Sequence, residues 1–293
     1  MASIKSSELI TNDDGSIFHL HLLPEDIAND IILVGDPGRV ETIAKHFEKI
    51  ELKKSSREFC TITGTYRNHR LSVISTGIGP DNIDIVINEL DALTNIDLKT
   101  KEIKAQKRSL NIVRIGTSGS VQADIPVDSF VISEKSIGCD GVLRFYEGNR
   151  EVCDQEFEDA FIAHCQWAKD AARPYVVNSS LQLVSKLHTE GQTIKGITLT
   201  AVGFYGPQGR ILRLPLAMPG INDRITAFRY NNYKVTNYEM ESAAITGLCN
   251  LLGHHAATIC LIIANRMNGD ASADYHGYMA KLIRYTLDRL VSC

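Results

Sequence analysis

Residues 31–47, IILVGDPGRVETIAKHF, carry the reading of the fold. Ile31–Val34 is a short unbroken apolar run, the mark of a strand covered on both faces. Val40, Ile43, Ala44 and Phe47 then recur at helical spacing. Asp36 is placed to cap that helix, and Pro37 sits at its first position, where a missing N–H costs little. Strand, glycine turn and helix make one βα unit. The pattern returns along the chain. Leu71–Ser75 ends in Thr76-Gly77-Ile78-Gly79 before a helix with Ile83, Val86, Ile87 and Leu90 on one face. Ile112–Ile115 reads as a strand closed by a Gly116–Gly119 turn, and Phe130–Ser133 as a fourth strand. Glu156–Ala172 is an amphipathic helix, and Asn178 or Ser179 caps a short one. Ile197–Val202 is a strand that opens into a glycine-rich loop. Glu241–Leu252 is a helix stopped by Gly253, Ala257–Ala264 a buried strand, and Tyr278–Val291 a last amphipathic helix. The Lys-rich stretch Asp97–Ser109 reads as a surface helix or loop. With no repeat or linker, residues 1–293 form one domain. The alternation predicts an α/β fold, a three-layer α/β/α sandwich with a central mixed sheet. Ligands in such folds gather at the carboxyl ends of strands.

Composition narrows the function. A chain of 293 residues, 44% hydrophobic, buries a core without disulfides or metals. A net charge of -4 with well-mixed signs, and no basic tract, argues against nucleic acid as a partner. Seven cysteines with no CxxC pair fit a reducing cytoplasm, most of them as small buried hydrophobes. The polar start, MASIKSSELITNDDG, reads as neither signal nor transit peptide. The apolar run near Ala256–Ala264 is too short to cross a bilayer, so no membrane is expected. Neither HExxH nor a Cys/His set is present, so no metal is expected. Walker, GxGxxG and GxSxG patterns are also missing.

Four segments carry candidate chemistry. The Gly35–Arg39 turn reads equally as an anion cradle or as a tight turn with a solvated Arg. Arg114 within Arg114-Ile115-Gly116-Thr117 sits in an apolar strand and needs a partner, either an ion pair or a bound polyanion. Glu239 and Glu241 in Tyr238-Glu239-Met240-Glu241 read as acids at a helix start, or as acceptors for sugar hydroxyls. Phe204, Gln208 and Arg210 share one irregular stretch. An aromatic stacks on a base, and an amide with a guanidinium reads a carbonyl edge, but a plain surface loop fits as well. His19, in Phe18-His19-Leu20-His21-Leu22, reads as a solvent-facing strand-edge residue.

Together, in order and spacing, these segments resemble the nucleoside phosphorylase superfamily and within it the uridine phosphorylases. The resemblance runs from Phe18 to the last helix, with Asp97–Ser109 expanded. It implies that Gly35, Arg39, Arg114 and Thr117 bind phosphate, and that Arg57 of Ser55-Ser56-Arg57-Glu58-Phe59 crosses to a neighbouring subunit's phosphate. It makes Phe204, Gln208 and Arg210 the uracil site, with Arg266 of Asn265-Arg266 closing the base pocket. Glu239, Met240 and Glu241 become the ribose segment, and His19 reaches the 5'-hydroxyl of a partner's nucleoside. Arg210, Gln208, Arg114 and Glu241 are the residues implied to carry catalysis. Purine-specific relatives place an aspartate near the last strand end, where this chain reads Ala264-Asn265-Arg266. The family's Gly-Gly-Pro-Ser is Pro80-Asp81-Asn82 here, which puts a monovalent cation site beside Glu58 in doubt.

The activity implied is phosphorolysis of uridine to uracil and ribose 1-phosphate. Phosphate is a co-substrate, and no cofactor is required. The assembly implied is a homo-oligomer, a dimer or trimer of dimers. The alternatives are a broader nucleoside phosphorylase and a non-catalytic nucleoside sensor. A hydrolase would have little use for three phosphate arginines, and a dehydrogenase would need a dinucleotide fingerprint.

Overall fold

The computed structural model describes residues 3–292. The first βα unit is as read, with β1 over Asp30–Val34 and α1 over Pro37–Ala44. The Asp36 side chain accepts from the Gly38 N–H at 2.9 Å and caps the helix. Next come β2 (Lys49–Ser56), β3 (Phe59–Tyr66), β4 (His69–Ser75) and α2 (Pro80–Asn95). The Asp97–Ser109 region is mostly loop, as one of its two readings had it, and not helix. It holds a small hairpin of β5 (Ile96–Asp97) and β6 (Glu102–Ile103). The chain continues through β7 (Asn111–Ser120), β8 (Phe130–Gly138), α3 (Gln155–Cys165), β9 (Tyr175–Asn178), α4 (Leu181–Leu187) and β10 (Thr193–Thr200). It ends with α5 (Ile221–Ala227), β11 (Arg229–Tyr230), β12 (Tyr233–Glu239), α6 (Ser242–Leu252), β13 (His255–Asn265), β14 (Asp270–Ala271) and α7 (Tyr275–Val291).

The main sheet runs β11-β12-β10-β8-β13-β7-β1-β4-β3-β2. It is mixed: β7 is parallel to β1 and β13, while β8 is antiparallel to β13. Helices flank it on both sides. Along β1, Ile31 and Leu33 join one apolar cluster with α2 and α6. Ile32 and Val34 join a second with α1, α4 and α7. That two-sided burial is why the run is unbroken in sequence. A third cluster packs α3 and α5 through Phe157, Phe161 and Phe228, whose rings meet edge to face at 5.3–5.5 Å.

Two departures position the site. The Gly116–Gly119 stretch is not a turn. β7 continues through it, paired with β13 at Gly116↔Cys260 and Thr117↔Leu261. Ladder bonds on a central strand override the local preference of glycine for turns. Near its end β7 also pairs with β12, at Gly119↔Tyr238 and Ser120↔Asn237. This closes β7, β13, β8, β10 and β12 into a ring. The helix expected to reach Ala172 stops at Cys165, because Gln166 takes a left-handed conformation (φ 50°). Cys293 lies outside the described residues. The other six cysteines are free thiols.

Gly138, the last residue of β8, lets the Tyr175 ring pack against its backbone. We expect Gly138→Ala to displace that ring and destabilise the fold by about 1–3 kcal/mol. Urea denaturation with a fluorescence readout measures the loss, and unchanged stability would show that the ring relaxes freely.

Candidate active site

Arg114 lies in the middle of β7, only 6% exposed. A guanidinium there must be paired, and it is. One amino group of its fork meets the Glu241 carboxylate, and the other lies 3.3 Å from Glu239. Gly116 has no side chain to obstruct the guanidinium, which folds back across it. Burial alone would lower the pKa of Arg114. Glu241 and Glu239 outweigh that and raise it, so the charge is firmly held. Burial raises the pKa of Glu241, against the opposing pull of Arg114. The second oxygen of Glu241 accepts the Gly79 N–H at 2.9 Å, which ties the start of α2 to the cluster.

Glu239 takes the role of an acid at a helix start. It accepts the N–H groups of Glu241 and Ser242 at 2.8–3.0 Å, serving the first turn of α6. It also accepts the Thr200 hydroxyl at 2.6 Å. Arg39 reaches the same neighbourhood, donating to the Ile115 carbonyl at 3.3 Å. Its pKa is lowered by burial and then by the like charge of Arg114. Gly35 lies at the end of β1, one strand away from Thr117 on β7, whose side chain is half-buried.

A second cluster forms around Gln208, which is 3% exposed. Its side-chain oxygen accepts from Arg210 and Arg266, each at 2.6 Å, and Arg266 also donates to its backbone carbonyl at 2.7 Å. The Arg210 guanidinium stacks on the Phe204 ring at 3.8 Å, and Arg266 lies 4.8 Å over the Tyr238 ring. Burial and the neighbouring Arg210 pull the Arg266 pKa down to about 10. Residues 238–241 join the clusters, with Tyr238 in one, Glu239 and Glu241 in the other, and Met240 half-buried between. The loop also covers a mainly apolar cavity of about 580 Å³ walled by Trp167, Leu212, Leu214 and Met218. Arg210 is its only wall residue from either cluster.

The remaining candidates lie apart from these clusters. Arg57, at the β2–β3 turn with φ 54°, is exposed and faces the Phe18 ring at 5.8 Å. His19 is not on a strand edge. It sits in a turn, and its Nδ1 lies 2.6 Å from Glu89 on α2. Sequence reasoning missed Gly79, Glu89 and Tyr238. It also missed Asp140, a carboxyl at the end of β8 whose pKa burial raises and which accepts the Tyr175 hydroxyl at 3.1 Å. An acid directly after a buried strand was the available signal for Asp140.

The model of the phosphorylase superfamily matches residues 30–287, nearly the whole chain. The chain is an enzyme of the phosphorylase superfamily. This phosphorylase is 28% identical to the uridine phosphorylase of Thermococcus kodakarensis, over 90% of this chain and 83% of that one. It is 26% identical to a DeoD-type purine nucleoside phosphorylase of Listeria welshimeri, over 87% of this chain and 90% of that one. Among solved structures, a nucleoside phosphorylase of Trypanosoma brucei, described as showing uridine phosphorylase activity, superposes with a TM-score of 0.88. It is 29% identical, covering 97% of this chain and all of the other. The mixed sheet with flanking helices is that of the family.

We expect Arg114→Met to leave Glu239 and Glu241 buried without their cation, at a cost of about 3–5 kcal/mol. Adding Glu241→Gln to that variant should recover part of the loss. Equal stability of single and double variants in chemical denaturation would count against a coupled charge cluster.

Proposed function

We propose that this phosphorylase cleaves uridine with inorganic phosphate, releasing uracil and ribose 1-phosphate. The observation that carries the reading is the Gln208 clamp. Two guanidiniums hold the amide oxygen, so the amide N–H group is left as the donor for a base carbonyl. Arg266 stands where a purine-specific site would place an acid. The apolar cavity shares only Arg210 with these residues, so the base belongs on the Gln208 face, with Phe204 for stacking.

Phosphate is assigned to Arg39, Arg114 and the backbone of Gly35 and Thr117. Within one chain Arg114 faces two carboxylates, Glu239 and Glu241, and Arg39 brings a second positive charge close to it, so the cluster is nearly neutral. An incoming phosphate dianion therefore calls for a further cation. Arg57 is exposed and unengaged by this cluster, which suits it to serve a second copy, and His19 is assigned likewise. The working unit is thus a homo-oligomer. Glu241 and Met240 take the ribose, with Glu241 accepting from its hydroxyls.

The chemistry needs no covalent intermediate. Arginines hold phosphate beneath C1', which is catalysis by positioning. Positive charge grows on the sugar, as in other glycosyl transfers, and is met by phosphate and Glu241. Negative charge grows on the departing uracil, and donors from Gln208 and Arg210 meet it. No resident cofactor enters. The Glu58 carboxylate accepts the Asn82 amide N–H at 3.2 Å, and no cation is assigned there. The odd cysteine count with no CxxC pair supports placement in a reducing cytoplasm.

The test is uracil release from uridine by purified protein, with and without phosphate, beside thymidine and inosine. Phosphate-dependent release fastest from uridine is expected. Preference for inosine would favour a purine nucleoside phosphorylase, and release without phosphate a hydrolase. We expect Arg210→Ala to lower turnover about 10²–10³-fold, the usual cost of losing one donor to developing charge. Near-normal turnover would remove Arg210 from the leaving-group role.

A further inference from the structure

Glu89 is a half-buried acid on α2 that neither cluster uses. Its carboxylate accepts three N–H groups from one turn. The His19 backbone donates at 3.0 Å, the Leu20 backbone at 2.8 Å, and the His19 ring approaches through Nδ1 at 2.6 Å. A carboxylate already met by two backbone donors has only acceptor capacity for the ring, so Nδ1 must carry the proton. In the neutral ring the other nitrogen, Nε2, is then a bare lone pair. No hydrogen bond among the described residues engages it, although the ring is only 27% exposed and packs edge-on against Phe18 at 4.8 Å. His19 also lies far from its own chain's ribose acids. Glu89 is ten residues along α2 from Gly79, roughly 15 Å at the helical rise.

We propose that Glu89 is the positioning residue of His19, holding the neutral ring as the Nδ1–H tautomer so that Nε2 accepts a hydrogen bond from a nucleoside 5'-hydroxyl. This rests on the reading that His19 serves the nucleoside of a second copy. The requirement is directional. The 5' group must be a donor. A 5'-hydroxyl satisfies it, whereas a 5'-deoxy or 5'-O-methyl nucleoside does not. Glu89→Gln keeps the shape but sets an amide N–H against the backbone N–H groups or the ring. The amide must then turn, and the ring loses its fixed tautomer.

Two readouts on the full-length protein test this. The first is nitrogen NMR of protein labelled with 15N-histidine, with the His19 signal identified by its loss in His19→Ala. The Nδ1–H tautomer is expected in the wild type, and its loss is expected in Glu89→Gln. An Nε2–H ring in the wild type, or an unchanged ring in Glu89→Gln, overturns the proposal. The second is the ratio of kcat/KM for uridine over 5'-deoxyuridine, which should fall about tenfold in Glu89→Gln, the scale of one hydrogen bond. Wild-type enzyme should use 5'-O-methyluridine no better than 5'-deoxyuridine. An unchanged ratio in Glu89→Gln, with activity on both nucleosides falling together, would reduce Glu89 to a structural clamp and overturn its role. If His19→Ala leaves the ratio intact while the tautomer result holds, the assignment of His19 to the nucleoside fails, and with it the hydroxyl part of the proposal.

Discussion

A buried guanidinium in the middle of a strand governs much of this molecule. Arg114 has almost no access to water, so its charge is tolerable only with acids drawn in close. Those acids come from the β12–α6 junction, far along the chain, and one of them also takes the amide at the head of α2. Three elements are pinned to one charge. The junction must sit where it does for β7 to be buried at all, and the same placement gathers polar groups at the strand ends. Stability and site geometry here are one constraint.

Glu239 shows what an acid at a helix start does for its neighbours. An acid before an apolar helix is favoured by the free N–H groups there, and Glu239 meets two of them. By doing so it stiffens the segment that carries Met240 and Glu241. Helix capping thereby fixes where Met240 and Glu241 sit.

Much of this was legible in the sequence. β1 and α1 could be read because periodicity and capping agree there, and α6 because Gly253 supplies the left-handed stop. Arg114 was marked as a residue in need of a partner, and Glu241 and Glu239 supply it. What was hidden came from long-range pairing. The Gly116–Gly119 stretch has turn composition, and only β13 and β12 make it a strand. The β2–β3 hairpin and the β5–β6 hairpin carry mixed polar and charged residues with weak patterning. Glu89 looks like any exposed helical acid until the turn at His19 folds against it. Arg57 and His19 stand apart from the clusters of their own chain, which no local pattern could reveal.

The ring closed by β7 and β12 has a bearing on motion. Arg114, Glu239 and Arg266 stand on or directly after strands whose edges are sewn to one another, so that wall cannot swing apart like two lobes about a hinge, whereas Phe204, Gln208 and Arg210 stand on the segment after β10. The segment around residues 202–215, which carries Phe204, Gln208 and Arg210, lies outside that ring. It exposes Val202, Tyr205, Ile211, Leu212 and Leu214 to water and holds few strand-like bonds. Any opening of this segment would carry the Gln208 clamp with it, so access to the base side and the grip on the base would change together.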